Sequence, residues 1–181
     1  MLKLCAAIAL SFSLAVPVVF AAGESSTESA TPPPLVCKTG EVIKKVKKDN
    51  KWVQVCVKAQ SGILPDEDLY QQGKALAKAG HYDWALKVLA VINNQNDPRV
   101  LNYTGYSHRK AGRLEIGITY YAKALEIDPN FNLAREYLGE GYVAAGRVDL
   151  ARVQLAEIAA RCGVSCVEYQ DLSAAISSAT N

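Results

Sequence analysis

From Ile63 to the end of the chain, apolar residues recur with helical spacing, and small residues mark a longer repeat. Gly73, Gly105 and Gly139 lie 32 and 34 residues apart. Two more sets of small residues keep the same spacing. The first is Gly80, Gly112 and Gly146, and the second is Ala85, Gly117 and Ala151. A period in the low thirties with two helices per period is typical of a helical solenoid. The pattern therefore predicts three helix pairs, at residues 66–97, 98–130 and 131–162.

The segment after the third pair, residues 163–181, contains one more helix with an apolar stripe. The stripe is formed by Val167, Leu172 and Ile176. A solenoid exposes the hydrophobic face of its last unit unless another element covers it, so this segment is predicted to be a capping helix and tail. A bond between Cys162 and Cys166 would strain a continuous helix, and we expect the helix to break between them.

The segment before the helices, residues 37–58, has a different period. Apolar and polar residues alternate there as in β-strands, and Asp49-Asn50 is typical of a two-residue hairpin loop. With this loop Val46 pairs with Val53, and one face of the hairpin is mostly valine. We predict a small β-hairpin with one face suited to packing.

The N-terminal 22 residues have the layout of a secretory signal peptide. Lys3 precedes an apolar run over residues 4–20, and two alanines follow it. A membrane anchor is the alternative, because the run is close to the shortest length that spans a bilayer. Residues 23–36 are polar and then proline-rich, which predicts a flexible linker. We expect the chain to be exported.

Export determines the chemistry of the cysteines, because oxidising compartments favour disulfides. Four cysteines remain beyond the signal peptide and allow three pairings, of which sequence separation favours Cys37–Cys56 and Cys162–Cys166. A structural zinc site is disfavoured, because Cys37 and Cys56 lack a ligand at the usual short spacing. Catalytic dithiols have two intervening residues, whereas Cys162 and Cys166 have three. We predict a disulfide-linked hairpin and no metal.

Charge is distributed unevenly along the chain. Residues 37–58 contain seven lysines against Glu41 and Asp49, a net charge of +5, whereas the residues from Ile63 onward have a net charge of −2. The candidate basic surface consists of Lys44, Lys45, Lys47, Lys48 and Trp52. A solvated face that protects a strand edge is one interpretation. An electrostatic tether to an anionic envelope surface is the other, and export argues against nucleic acid as the partner.

Catalytic motifs are absent from the sequence. It contains no glycine-rich phosphate loop, paired carboxylates or zinc-binding helix motif. His81 and His108 have no nucleophile or carboxylate set beside them in the pattern, so packing and turn roles are expected for them. We predict that the protein is not an enzyme and needs no cofactor.

The last repeat carries a recognisable motif. Residues 134–158, AREYLGEGYVAAGRVDLARVQLAEI, resemble a tetratricopeptide repeat, with Gly139, Tyr142 and Ala151 at the family's positions. The preceding unit, LNYTGYSHRKAGRLEIGITYYAKALEIDP, is similar, and the resemblance covers about residues 66–162. It implies an all-α solenoid of three helix pairs plus a C-terminal capping helix, here preceded by the small disulfide-linked hairpin.

Four positions depart from the family pattern. Gln72 stands where leucine is usual, Ile92 where alanine is usual, His108 where tyrosine is usual, and Gly117 where alanine is usual. Tyr70 and Tyr103 occupy positions of the lysine and asparagine set with which some members bind a C-terminal carboxylate. We therefore do not expect that mode of binding here.

The resemblance also implies a function. Members of the family bind peptides or helices on the concave face, which the first helix of each pair lines. The partner-binding residues expected from their positions are Tyr70, Lys74, Asn102, Tyr106, Arg109, Lys110, Glu136 and Glu140. The sequence is similar to small exported repeat proteins of Gram-negative bacteria, which implies a protein-binding scaffold of the periplasm, with secretion as the alternative. Three units are close to the minimum for a stable array, so self-association that extends the groove is an alternative interaction.

Overall fold

Residues 35–180 are described by a computed structural model, and the predicted signal peptide and most of the predicted linker lie outside them. Two strands come first, β1 (Glu41–Lys48) and β2 (Lys51–Lys58). The helices that follow in this part of the chain are α1 (Asp66–Lys78), α2 (Tyr82–Leu89), α3 (Pro98–Lys110), α4 (Leu114–Ile127), α5 (Asn132–Ala144), α6 (Val148–Cys162) and α7 (Val167–Thr180). The helices form three antiparallel pairs followed by α7, so the predicted fold class is confirmed.

The hairpin has the predicted register. Val46 lies opposite Val53, and the two-residue loop Asp49-Asn50 joins the strands. Both loop residues have positive φ, 47° and 62°, as a tight hairpin loop with the right-handed strand twist requires. The disulfide between Cys37 and Cys56 is present and ties the segment before β1 to β2.

The outer edge of β1 is covered by side chains of the first helix pair. The Gln72 amide accepts a hydrogen bond from the Ile43 N–H at 2.7 Å and donates one to the Ile43 carbonyl at 2.9 Å. Trp84 Nε1 donates to the Glu41 carbonyl at 2.9 Å. Gln72 thus pairs with β1 as a neighbouring strand would, which explains why an amide replaces the family's leucine here.

The helices of each pair approach closely where glycine removes the side chain. In the second pair, a Cβ atom at Gly117 would lie 2.8 Å from the Gly105 carbonyl oxygen, and one at Gly105 would lie 2.9 Å from the Tyr121 ring. In the first pair, a Cβ atom at Gly73 would meet Leu89 at 2.7 Å. The spacing of small residues in the sequence therefore reflects helix-to-helix contact within each pair.

Helix α7 covers the end of the array. Leu172 and Ile176 are buried against the third helix pair, and Leu172 fills the space that a side chain at position 139 would occupy. Helix α6 ends at Cys162, and α7 begins one residue after Cys166. The break between the two helices therefore lies between the cysteines of the second disulfide, as expected from the sequence. Among the described residues, no helix has the length and hydrophobicity needed to cross a membrane.

Candidate functional site

The first helices of the three pairs, α1, α3 and α5, share one face on which tyrosine rings pack in series. The ring centroids of Tyr70 and Tyr103 are 6.0 Å apart, those of Tyr103 and Tyr106 are 6.1 Å apart, and those of Tyr106 and Tyr137 are 5.1 Å apart. Tilted and edge-on arrangements at these distances are favourable. The aromatic series therefore links all three units.

One contact shows that this face is concave. Lys78, near the end of α1, donates a hydrogen bond to the Tyr137 hydroxyl of α5 at 2.7 Å. Side chains of the first and third units meet only if the array curves toward them across the second unit. The face formed by α1, α3 and α5 is called the groove below.

Positive charges surround the ring of Tyr106 at the middle of the groove. Lys78 Nζ lies 5.0 Å from its centroid, Lys110 Nζ lies 6.0 Å away, and the guanidinium carbon of Arg109 lies 5.8 Å away. Lys74 Nζ is 5.6 Å from the ring of Tyr103. Cations over tyrosine faces at these distances are attracted by the ring quadrupole.

Arg109 is the most enclosed of these cations, with only 9% of its side chain exposed. It forms an ion pair with Glu140 of α5 and donates a hydrogen bond from Nε to the Tyr121 hydroxyl at 3.1 Å. Burial disfavours the charged guanidinium, but the contacts with Tyr121 and Glu140 outweigh it and raise the pKa of Arg109. The pair links the second unit to the third beside the ring of Tyr106.

Glu136 lies beneath the same surface and is only 4% exposed. Burial raises its pKa to about 8, the charges of Glu140 and Asp171 add to the effect, and those of Arg109 and Lys78 oppose it. The Glu136 carboxyl group is therefore largely protonated at pH 7. Because its carboxyl group is mostly uncharged, it offsets little of the positive charge of the groove.

The predicted partner-binding residues fall into two sets in the structure. Lys74, Tyr106, Arg109, Lys110 and Glu140 lie together around the groove and retain exposed surface. The other set is buried and forms the floor of the groove. Its members occupy the same position in each of the three units, and they are Tyr70, Asn102 and Glu136.

Asn102 is fully buried, and neither atom of its amide group has a hydrogen-bond partner among the described residues. Its position in the pattern marked it as inward-facing, but burial depends on packing between units. Tyr137 was not among the candidates, although Lys78 binds it. A comparison of the repeats finds it, because Tyr137 follows Glu136 as Tyr103 follows Asn102.

The candidate basic residues of the hairpin are separate from the groove. Lys45, Lys47, Lys48 and Trp52 are exposed, whereas Lys44 lies on the valine face and is half-buried. The structure therefore brings four of the five together on the exposed part of the hairpin.

The two histidines lie in different surroundings. His108 stacks on Tyr120, with ring planes only 6° apart, and its Nδ1 accepts a hydrogen bond from Arg113 Nε at 2.9 Å. Burial and the charge of Arg113 lower the pKa of His108. His81 is exposed in the turn before α2. His108 thus has the packing role expected from the sequence.

Two groups of residues have the donor types of a metal site. Cys37, Glu41 and Cys56 lie close together, as do Cys162, Cys166 and Glu168. In both groups the cysteine sulfurs are joined in a disulfide. Thiolate ligation would first require reduction of these bonds.

Two solved structures are similar to this chain in fold. One is the Yersinia enterocolitica type III secretion translocator chaperone SycD, with a TM-score of 0.54 and 21% identity, covering 63% of this chain and 87% of SycD. The other is PcrH in complex with the chaperone binding region of PopB, also with a TM-score of 0.54 and 21% identity, covering 66% of this chain and 98% of PcrH. No curated protein sequence matches the chain.

A family model described as tetratricopeptide repeat matches residues 70–130 and again residues 104–163. The two matches together cover more than half of the chain. They span α1 to α6 almost completely, the helices that form the groove and its supporting layer. The chain belongs to the tetratricopeptide repeat family.

Proposed function

We propose that the protein is a non-enzymatic scaffold of the periplasm that holds a segment of a protein partner in the groove. The observation that supports this most directly is the cluster around Tyr106. Three cations from two units surround one partly exposed ring, and a hydrogen bond from Lys78 to Tyr137 extends the cluster to the third unit. Tyrosine and arginine are the residue types that anchor protein interfaces.

The charge of the groove indicates the chemistry of the partner segment. Lys74, Lys78 and Lys110 form no ion pair with any residue from 35 to 180, whereas the charge of Arg109 is balanced by Glu140. Glu136 is mostly neutral at pH 7. The groove therefore suits a segment that combines acidic side chains with apolar or aromatic ones.

The structural relatives are consistent with this mode of binding. The PcrH structure contains the chaperone binding region of PopB, so a protein of the same fold binds a defined segment of another protein. We extend to this chain only the type of ligand, a protein segment. Its identity requires capture in the organism that makes the protein.

The periplasmic location rests on the predicted signal peptide and on the cysteines. Both cysteine pairs of the described chain are disulfide-bonded, as is usual for proteins in oxidising compartments. Fractionation of the native host, followed by alkylation of free thiols, tests the location. Recovery of an oxidised protein in the periplasmic fraction supports it, and recovery of a reduced protein in the cytoplasm contradicts it.

Site-specific photo-crosslinking tests the groove. A crosslinker at Lys110, exposed beside Tyr106, is compared with one at Lys123, an exposed lysine on α4. The proposal predicts that one recurrent protein is captured from Lys110 and not from Lys123, and that Lys78→Gln reduces the capture. Equal capture from both positions would contradict a role for the groove.

A further inference from the structure

The tip of the hairpin, residues 45–52, is a second surface with a strong charge. Four lysines face a single acidic residue, Asp49, which gives the tip a net charge of +3. None of these lysines forms an ion pair with a described residue. The tip is therefore an uncompensated cationic surface.

Trp52 lies within this charged surface, and 71% of it is exposed. Its cross-strand neighbour on the same face is Lys47, with Lys45 two residues farther along that strand, whereas Lys48 and Lys51 form the adjacent pair on the opposite face of the tip. An exposed tryptophan loses the stabilisation that burial of its large apolar surface would give. An exposed indole beside lysines at the tip of a hairpin suits the headgroup region of a membrane, because the ring is largely apolar and its N–H can remain hydrated.

The hairpin presents the tip away from the helices. Lys45 is the last β1 residue that lines the cleft between the hairpin and the start of α1. Lys48 lies three residues farther along the strand, about 10 Å at the usual rise per residue. The tip therefore extends from the helical array far enough to meet a flat surface.

The base of the hairpin is held rigidly. The disulfide Cys37–Cys56 closes it, Gln72 binds both polar groups of the Ile43 backbone, and Val42 is almost fully buried. A two-stranded hairpin without such support is only marginally stable in water. These contacts fix the base of the hairpin relative to α1 and α2, so the tip is held in a defined direction before any ligand binds.

We propose that the hairpin tip binds the surface of a bilayer that contains anionic phospholipids. The lysines contact headgroup phosphates, and the Trp52 indole enters the interface between headgroups and acyl chains. A bilayer needs no complementary cavity, which suits a protruding tip better than it suits a groove. This inference is independent of the proposed function of the groove, although the two together would place a bound protein partner at a membrane.

Vesicle binding tests the proposal. The chain from residue 23 onward, which keeps every described element, is mixed with vesicles of phosphatidylglycerol and phosphatidylcholine or of phosphatidylcholine alone. We expect binding only to the anionic vesicles and a steep decrease with salt. Each lysine near such a surface strengthens binding about fivefold, so Lys47→Gln with Lys48→Gln should weaken it by about 30-fold.

A matched control separates the tip from overall charge. Lys87→Gln with Lys123→Gln removes the same charge from α2 and α4, and this variant should bind nearly as the wild type does. The tryptophan fluorescence of the wild type should shift to the blue on binding, and Trp52→Phe should abolish the shift while Trp84 remains. Circular dichroism verifies that each variant is folded.

Three results of the vesicle experiments would overturn the proposal. They are equal binding to neutral and anionic vesicles, equal weakening by the two double-lysine variants, and binding without a blue shift. Binding of the tip to an acidic protein or nucleic acid in place of anionic vesicles would also refute it. Since the groove residues are unchanged in these variants, the capture experiment from Lys110 gives a separate result.

Discussion

The buried carboxyl group of Glu136 provides a quantitative test of the groove's structure. Its pKa is raised to about 8 from a usual value of 4.5, so the folded protein binds this proton more tightly than the unfolded chain does. The resulting stabilisation is complete below pH 4.5 and is lost as the pH rises toward 8. One pKa unit corresponds to about 1.4 kcal/mol. The stability that this group loses between pH 4.5 and pH 7 is therefore about 3 kcal/mol.

Glu136→Gln removes this dependence, because the amide is neutral throughout the range. The free energy of unfolding of Glu136→Gln minus that of the wild type should therefore increase by about 3 kcal/mol from pH 4.5 to pH 7. Urea unfolding followed by circular dichroism at a series of pH values measures this difference. Glu126→Gln, at an exposed position of α4, serves as the control and should change the stability by less than about 0.5 kcal/mol.

A difference between Glu136→Gln and the wild type that is constant across this pH range would refute the reasoning. It would mean that the carboxyl group is solvated in the folded protein about as well as in the unfolded chain, and that the groove is more open than the structure shows. A difference that decreases with rising pH would mean that Glu136 is stabilised as an anion, with Arg109 or Lys78 as its partner.

Three other predictions concern contacts within the fold. Gly117→Ala should destabilise the protein by roughly 1–3 kcal/mol in urea unfolding, because the new Cβ meets backbone atoms. Gly141→Ala should cost less, because its Cβ meets a movable side chain, and equal effects would contradict the close contact of α3 and α4. Gln72→Leu should accelerate hydrogen exchange in the hairpin, because it leaves polar groups of the β1 backbone unpaired, and unchanged exchange would show that the amide is not an anchor. Replacing Cys37 and Cys56 by serine should lower the protection of the hairpin amides against hydrogen exchange by about 3 kcal/mol, while the amides of α3 to α6 keep their protection. Loss of protection throughout the protein would contradict a local role of this disulfide.

The sequence predicts those parts of the fold that depend on local chemistry. The Asp49-Asn50 loop and the alternating valines determine the hairpin register, because a shift by one residue would turn every valine to the other face. The repeated small residues predict the helix pairs, because close helices tolerate little beyond glycine or alanine at those points.

The groove is less accessible to such reasoning, because it depends on how the units curve. The contact between Lys78 and Tyr137 joins residues 59 positions apart, and no local pattern predicts it. The burial of Asn102 and the raised pKa of Glu136 likewise arise from packing between units. Gln72 was identifiable as a departure from the family pattern, but its role required the position of β1.

The most direct test of the central claim is the affinity of the partner segment captured from Lys110. Calorimetry would compare the wild type with Lys78→Gln and Lys110→Gln combined, and with the control Lys87→Gln and Lys123→Gln combined. Binding in the groove predicts a loss of about tenfold or more for the first variant and little change for the control. Equal affinities for both variants and the wild type would contradict the assignment of the groove as the binding site.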